Sequence, residues 1–201
     1  MSVRRPGVDR KREIADAALQ VIAREGLGRF TASSLAGQVG LTNGALFRHF
    51  ASMDAIVLAA IDRAEEVLFA GFPPNDEDPI DRLGAFFCLR ISAIRRHPDV
   101  MRAVYSNELA QAAGQPGAAR VREFKKRSVK FVRACLEEAA RRELLTAHGT
   151  PKELAVLVLG AIMALALLPE AGASSAKGPA PEEVWAALER MLRARCTHPP
   201  A

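Results

Sequence analysis

The chain has 201 residues, of which 49% are hydrophobic, 25% charged and only 5% aromatic. That balance excludes a disordered polymer and describes a folded chain with a real core. The net charge of +5 is uneven: residues 1–50 hold eight Lys/Arg against four Asp/Glu, and the remainder twenty against nineteen. Much of the excess lies in Arg4, Arg5, Arg10, Lys11 and Arg12, an arm that suits nucleic acid or an anionic surface as readily as it suits a merely solvated terminus.

Taken in order, residues 9–25 carry Ile14, Ala17, Ala18, Val21 and Ile22 on one helical stripe, ended by Gly26 and Gly28. Thr31 caps a short helix over 32–39, with Phe30 and Leu35 as its hydrophobic staple. Gly40 supplies the left-handed residue that closes it. The pattern repeats at once: Thr42 caps a third helix, stapled by Leu41 and Leu46. Two short, stapled helices joined by a Gly–Leu–Thr turn are a helix-turn-helix layout. Ser52 caps a fourth helix that ends near Gly71 and the Pro73–Pro74 break.

Beyond the break, Asp78–Pro79 opens a long helix bearing Leu83, Phe86, Phe87, Arg90, Ile91 and Ile94, closed by Arg95, Arg96 and His97. Pro98 opens another with Met101, Val104, Tyr105 and Leu109, and Gly114–Gly117 reads as a loop. The next long helix carries Val121, Phe124, Phe131, Val132, Cys135 and Leu136, and its cations from Arg120 to Arg133 read as a solvated face, with an anionic ligand or a DNA contact as the alternative. Thr150–Glu153 is a capping box ahead of Leu154–Leu168, an apolar run too short for the roughly 20 residues that span a bilayer. Residues 169–181 read as a loop, and a last helix presents Val184, Trp185, Leu188, Met191 and Leu192. No strand and no repeat is evident. The expectation is an all-α chain of about nine helices in two parts.

The third helix is where the chemistry concentrates. Leu46 and Phe50, four apart, anchor it on one face. Asn43, Gly44, Ala45, Phe47, Arg48 and His49 are left for the other. Small residues at the leading end admit a close approach, while Arg48 and His49 suit phosphates or base edges and Asn43 suits adenine. Such a helix fits a major groove.

Residues 12–61 resemble the DNA-binding domain of TetR-type (tetracycline-repressor) regulators. The resemblance rests on the capping Thr31, the Leu35–Ala36 pair, the Gly40–Leu41 turn, and the small–Leu–aromatic–Phe order ending at Phe50. It implies that Ser33 approaches a phosphate or base, that Thr42, Asn43, Gly44 and Ala45 lead the third helix into the groove, and that Phe47, Arg48 and His49 line the DNA face. Two positions depart from the family pattern: Phe47 stands where a tyrosine hydroxyl usually meets a phosphate, and Met53 where a lysine usually does. Losing one ionic contact per subunit of a dimer flattens the log–log salt slope by about 1.8.

The resemblance further implies a division into a DNA-binding domain over 1–52 and a helical ligand-binding and dimerisation domain over 53–201. An effector, apolar or aromatic, would meet Phe87, Arg90, Met101, Tyr105 and Phe124. Two copies would pair through Leu157, Ala161, Leu165, Trp185, Leu188 and Met191 to read a palindromic double-stranded operator. The rival for both sets is ordinary core packing. No cofactor, metal or membrane partner is expected. The isolated histidines and the absence of GxSxG, HExxH or P-loop patterns give an enzyme no constellation. Cys88, Cys135 and Cys196, with no CxxC, read as free thiols, and with no signal-type N-terminus the expected location is the cytoplasm. The expectation is a ligand-responsive repressor; the alternative is a small-molecule carrier with a weakened DNA-binding domain.

Overall fold

The computed structural model describes residues 7–146, 149–167 and 179–193. They form ten α-helices: α1 Gly7–Glu25, α2 Ala32–Gln38, α3 Asn43–His49, α4 Met53–Leu68, α5 Pro79–Arg96, α6 Pro98–Tyr105, α7 Glu108–Ala112, α8 Gly114–Arg141, α9 Pro151–Leu167 and α10 Pro181–Leu192. A 3-10 turn, Leu27–Arg29, follows α1, and the described residues contain no strand. Two compact units emerge, one from Met1–Leu68 with His97–Phe124, the other from Phe69–Arg96 with Lys125–Ala201.

In the first unit α1 packs on α4 and α6, and α2 packs on α3. Its core holds Ile14, Ala18, Ile22, Leu35, Leu46, Ile56 and Ile61, all at or near zero exposure. The short α7, expected by no sequence signal, follows Asn107 in the left-handed region (φ 67°), a conformation asparagine tolerates better than most residues. The expected loop at Gly114–Gly117 is instead the first turn of α8. Pro116 costs no hydrogen bond there, because first-turn N–H groups have no intrahelical acceptor. Gly117 is needed: a Cβ would sit 3.0 Å from Ile61 Cδ1 and 2.3 Å from Ala113 Cβ.

In the second unit α5 packs on α9 and α10. Asp78 Oδ1 accepts from the N–H groups of Ile80 (2.7 Å) and Asp81 (3.2 Å), which caps α5 as expected. The Thr150–Glu153 box is formed, with Thr150 N–H donating to Glu153 Oε2 (2.7 Å) and Glu153 N–H to Thr150 Oγ1 (3.3 Å). Trp185 lies against Phe87, ring centroids 5.5 Å apart, and over Gly84, where a Cβ would stand 2.3 Å from the indole nitrogen. Arg193 ties α10 to the start of α5, reaching Asp78 (2.9 Å), Asp81 and Glu189 (2.6 Å). The loop expected over 169–181 and the thiol of Cys196 lie outside the described residues, apart from Pro179 and Ala180 before α10. Burial pushes the Cys135 thiol up to about 11, and raises that of Cys88 as well, so neither is a ready nucleophile.

A candidate nucleic-acid interface

Each of the two short helices is fixed by its own hydroxyl. Thr31 Oγ1 accepts from Ser34 N–H and Thr42 Oγ1 from Ala45 N–H, both at 3.2 Å. Between them the chain reverses in a glycine-closed turn: Leu41 N–H donates to Ala36 C=O (2.8 Å) and Gly40 N–H to Gly37 C=O (3.2 Å). This six-to-one and five-to-two pair needs a left-handed residue, supplied by Gly40 at φ 66°. Leu35, Ala36 and Leu46 are then buried, and Phe50 caps α3 on its inner side.

What remains outside is a contiguous polar edge. Ser33, Thr42, Asn43, Gly44 and Arg48 are exposed and His49 is half-buried. Phe47 is 42% exposed, a large apolar ring left in water. Nothing lies within 4 Å of a Cβ built on Gly44, so its side is open. Ala45 departs from the expectation: it is buried beside Leu46 and belongs to the packing of α3, not to its outer edge.

The basic arm is partly occupied. Arg10 pairs with Glu13 at 2.8 Å, Arg12 with Glu66 at 3.1 Å, and Lys11 stands 5.5 Å from the Phe50 ring centroid. Arg63 of α4 holds Asp16 of α1 at 2.7 Å. Arg12–Glu66 and Arg63–Asp16 join α1 to α4, while Arg10–Glu13 stays within α1, and a surface pair is worth at most about 1 kcal/mol. Arg4 and Arg5 lie outside the described residues. Met53 is half-buried at the start of α4, where its thioether carries no charge to offer a phosphate.

The expected effector residues are distributed over the two units. Phe87 and Arg90 belong to the second unit, while Met101, Tyr105 and Phe124 belong to the first. Phe87, Met101 and Phe124 are buried, and Tyr105 is 46% exposed. Within the second unit Arg90 is buried against the rings of Phe69 and Phe86. Its Cζ lies 4.6 Å from the Phe69 centroid and 5.1 Å from that of Phe86, and its Nη2 donates to Ser128 Oγ at 2.9 Å. Arg127, read as part of a solvated face, is half-buried with its Cζ 3.6 Å from the Phe69 centroid. A signal for it exists: position 127 falls on the apolar stripe between Phe124 and Phe131.

The expected pairing residues also divide. Leu165 and Trp185 are spent within the second unit, whereas Leu157 and Met191 are 54% and 66% exposed, and Ala161 and Leu188 are half-buried. Among the described residues no group of three or more His, Cys, Asp or Glu is placed to hold a metal ion, and no single helix is long and apolar enough to cross a membrane.

Residues 14–60 match the model of the family described as bacterial regulatory proteins, tetR family. Over that segment the chain is similar to TetR-family regulators. Its similarity to the HTH-type transcriptional repressor KstR2 of Mycobacterium tuberculosis is 28% identity over 110 residues, 53% of this chain. The chain spans about half the length of that relative, 54%. It is also similar to the nucleoid occlusion factor SlmA of Vibrio campbellii, at 27% identity over 158 residues, 77% of this chain and 80% of the relative. Among solved structures, the ketosteroid transcriptional regulator KstR2 of Mycobacterium tuberculosis superposes with a TM-score of 0.74 at 17% identity, covering 96% and 97% of the two chains. AibR in complex with isovaleryl coenzyme A and operator DNA gives 0.72 at 18%, covering 92% and 98%. PfmR of Thermus thermophilus gives 0.72 at 17%, covering 90% and 94%. These likenesses establish the all-α TetR fold, with its helix-turn-helix, well beyond the matched segment.

Proposed function

We propose that the chain is a DNA-binding transcriptional repressor that pairs as a homodimer on a palindromic operator and is released by a small organic effector. The observation that carries this is α3 itself. Its Leu46 face is buried, while Thr42, Asn43, Gly44, Phe47 and Arg48 are held outward by a side-chain cap and a glycine-closed turn. A helix so anchored and so edged serves the major groove, with Arg48 as phosphate or base-edge donor and Asn43 as adenine reader. Ser33 at the start of α2 and His49 at the end of α3 flank that edge, and the domain over 1–52 supplies it. The similar KstR2 is a transcriptional repressor, and the similarly folded AibR is seen in complex with operator DNA. An effector domain over 53–201 is supported by the isovaleryl coenzyme A held by AibR.

Pairing is supported by α9. It buries Leu154, Val158, Ile162 and Leu165 on one side and leaves Val156 and Leu157 67% and 54% exposed on another. With Met191 of α10 at 66%, this is apolar surface of the kind subunit interfaces cover. A dimer sets two copies of α3 about 34 Å apart, one DNA turn. Leu157→Glu with Met191→Glu is expected to yield a monomer by sedimentation.

The deciding experiment is selection of genomic fragments by the purified protein, followed by titration of the best fragment over a salt series. One enriched palindrome and a steep salt slope support the repressor. Weak binding without sequence preference favours a small-molecule carrier instead, the reading that Phe47 without a hydroxyl and Met53 without a charge would explain.

A further inference from the structure

We propose that Phe47 selects operator sequence by seating its ring on the C5-methyl group of a thymine in the major groove. The inference rests on the operator-binding reading above and names what one position of the α3 edge recognises. Phe47 is 42% exposed, while its neighbour Leu46 is at 0% and Phe50, three residues on, at 8%. Phe50 also has the Lys11 ammonium 5.5 Å from its ring centroid. Phe47 has no ring or cation contact among the described residues. A single exposed ring is ordinary on a protein surface; its place on this edge is what gives it meaning.

A phenyl ring carries no hydroxyl, so it neither donates to a phosphate nor pairs with a donor or acceptor on a base edge. In the major groove one base feature answers to an apolar group alone, the thymine methyl. The surroundings of the ring admit a base. Gly44 lies three residues earlier on the same side of the helix, and nothing stands within 4 Å of a Cβ built there. Long helical side chains lean toward the helix N-terminus, so Phe47 leans over that open position. Asn43, four residues before Phe47 on the same side, is exposed and suits adenine. Adenine for Asn43 beside thymine for Phe47 makes an A·T-containing contact.

Charge brings DNA to this edge. Between Glu25 and Asp54 the chain has no acidic residue, while Arg29 and Arg48 are exposed. Arg48 has no acidic partner among the described residues. A polyanion approaches such a stretch without meeting like charge, and the cations hold the backbone while the ring meets a base.

The test is selection from a pool of random-sequence duplexes by the full chain, then resynthesis of the winning duplex with each thymine in turn replaced by uracil. That exchange deletes the methyl group and keeps every hydrogen-bonding group of the base. One thymine in each half-site is expected to lose about fourfold in affinity, and the two exchanged together about fifteenfold, as burial of one methyl-sized group per site supplies. Phe47→Ala should bind the thymine duplex and its uracil form equally, with unchanged circular dichroism. Arg48→Ala should weaken both forms and keep the fourfold ratio. Should the alanine variant not fold, Phe47→Gln, which has similar length and no ring, is expected to show the same equal binding. If no thymine responds to exchange, or if a folded Phe47 variant keeps the ratio, the methyl contact is overturned and the operator-binding reading stands. If no duplex is enriched at all, that reading falls and this one falls with it.

Discussion

The α2–α3 edge of the first unit and the Trp185 seat of the second use glycine in opposite ways. Gly44 has nothing within 4 Å of a built Cβ, while at Gly84 a Cβ would lie 2.3 Å from the Trp185 Nε1 and 2.5 Å from Cε2. One glycine leaves room for a visitor; the other has already received its neighbour. The difference separates an open surface, the one proposed for recognition, from a core closed on itself. It also says where mutation should cost stability and where it should not.

The sharpest break of that comparison is the pair of alanine substitutions. Gly84→Ala forces the indole out of its seat and is expected to cost about 3 kcal/mol, the upper end for overpacking. Replacing the Trp185 indole by leucine in the same chain should recover part of this, since the clash needs both partners. Gly44→Ala should instead raise the melting temperature slightly, by the roughly 1 kcal/mol that alanine gains over glycine in a helix. Thermal unfolding of the three variants checks both signs. A destabilising Gly44→Ala would mean that the α3 edge is packed and not open.

A smaller effect sharpens the functional half. Arg48→Ala should weaken the selected operator by about 2 kcal/mol while leaving thermal stability unchanged. If Arg48 meets a phosphate, the loss is uniform across sequences and the salt slope of a dimer flattens by about 1.8; if it meets a base, discrimination at one position relaxes instead. An unfolding temperature that falls with the affinity would make Arg48 a structural residue.

The two regions also differ in how far the sequence alone can be followed. Caps are local: Thr31, Thr42, Asp78 and Thr150 announce themselves within four residues, and all four are formed. The turn at Gly40 is local as well. The start of α8 reads as a loop because glycine and proline are loop residues by frequency, yet Pro116 loses nothing in a first turn, and Gly117 is there for Ile61. Periodicity tells that Leu165 and Trp185 face something apolar but not what; both are buried in the second unit. Ala45 groups with the outer edge in sequence because three of its neighbours are polar or small, although the helical phase puts it beside Leu46. Arg127 groups with the surrounding cations, since charge suggests water until the rings that cover it are in place. Partners distant in sequence are what a single chain, read in order, leaves out.

The caps themselves give the next effect. Thr42→Ala removes the acceptor for Ala45 N–H at 3.2 Å and should cost about 1 kcal/mol, and Thr150→Ala should cost the same in the second unit. Denaturant titration compares them directly. Operator affinity should fall beyond the stability loss only for Thr42→Ala, because only that cap orients the α3 edge.

The smallest effect is a pH dependence confined to the second unit. Burial by itself would push the Asp78 carboxyl up, but Arg193 and the N–H groups of Ile80 and Asp81 hold it below the ordinary aspartate value. A carboxyl lowered on folding stabilises the fold at every pH above its unfolded value, near 3.9. That contribution fades as the pH falls through the lower folded value. Asp78→Asn keeps a capping oxygen and removes the charge, so it should cost under about 1 kcal/mol at neutral pH, the tie being partly exposed. Wild type should lose that margin as the pH falls below about 3.9 and through the lower folded value, and the variant should not. Unfolding curves at pH 7 and at pH 2.5 decide it: if the gap between the two proteins is as wide in acid as at neutrality, the Arg193 tie contributes shape at the start of α5 but no charge-linked stability.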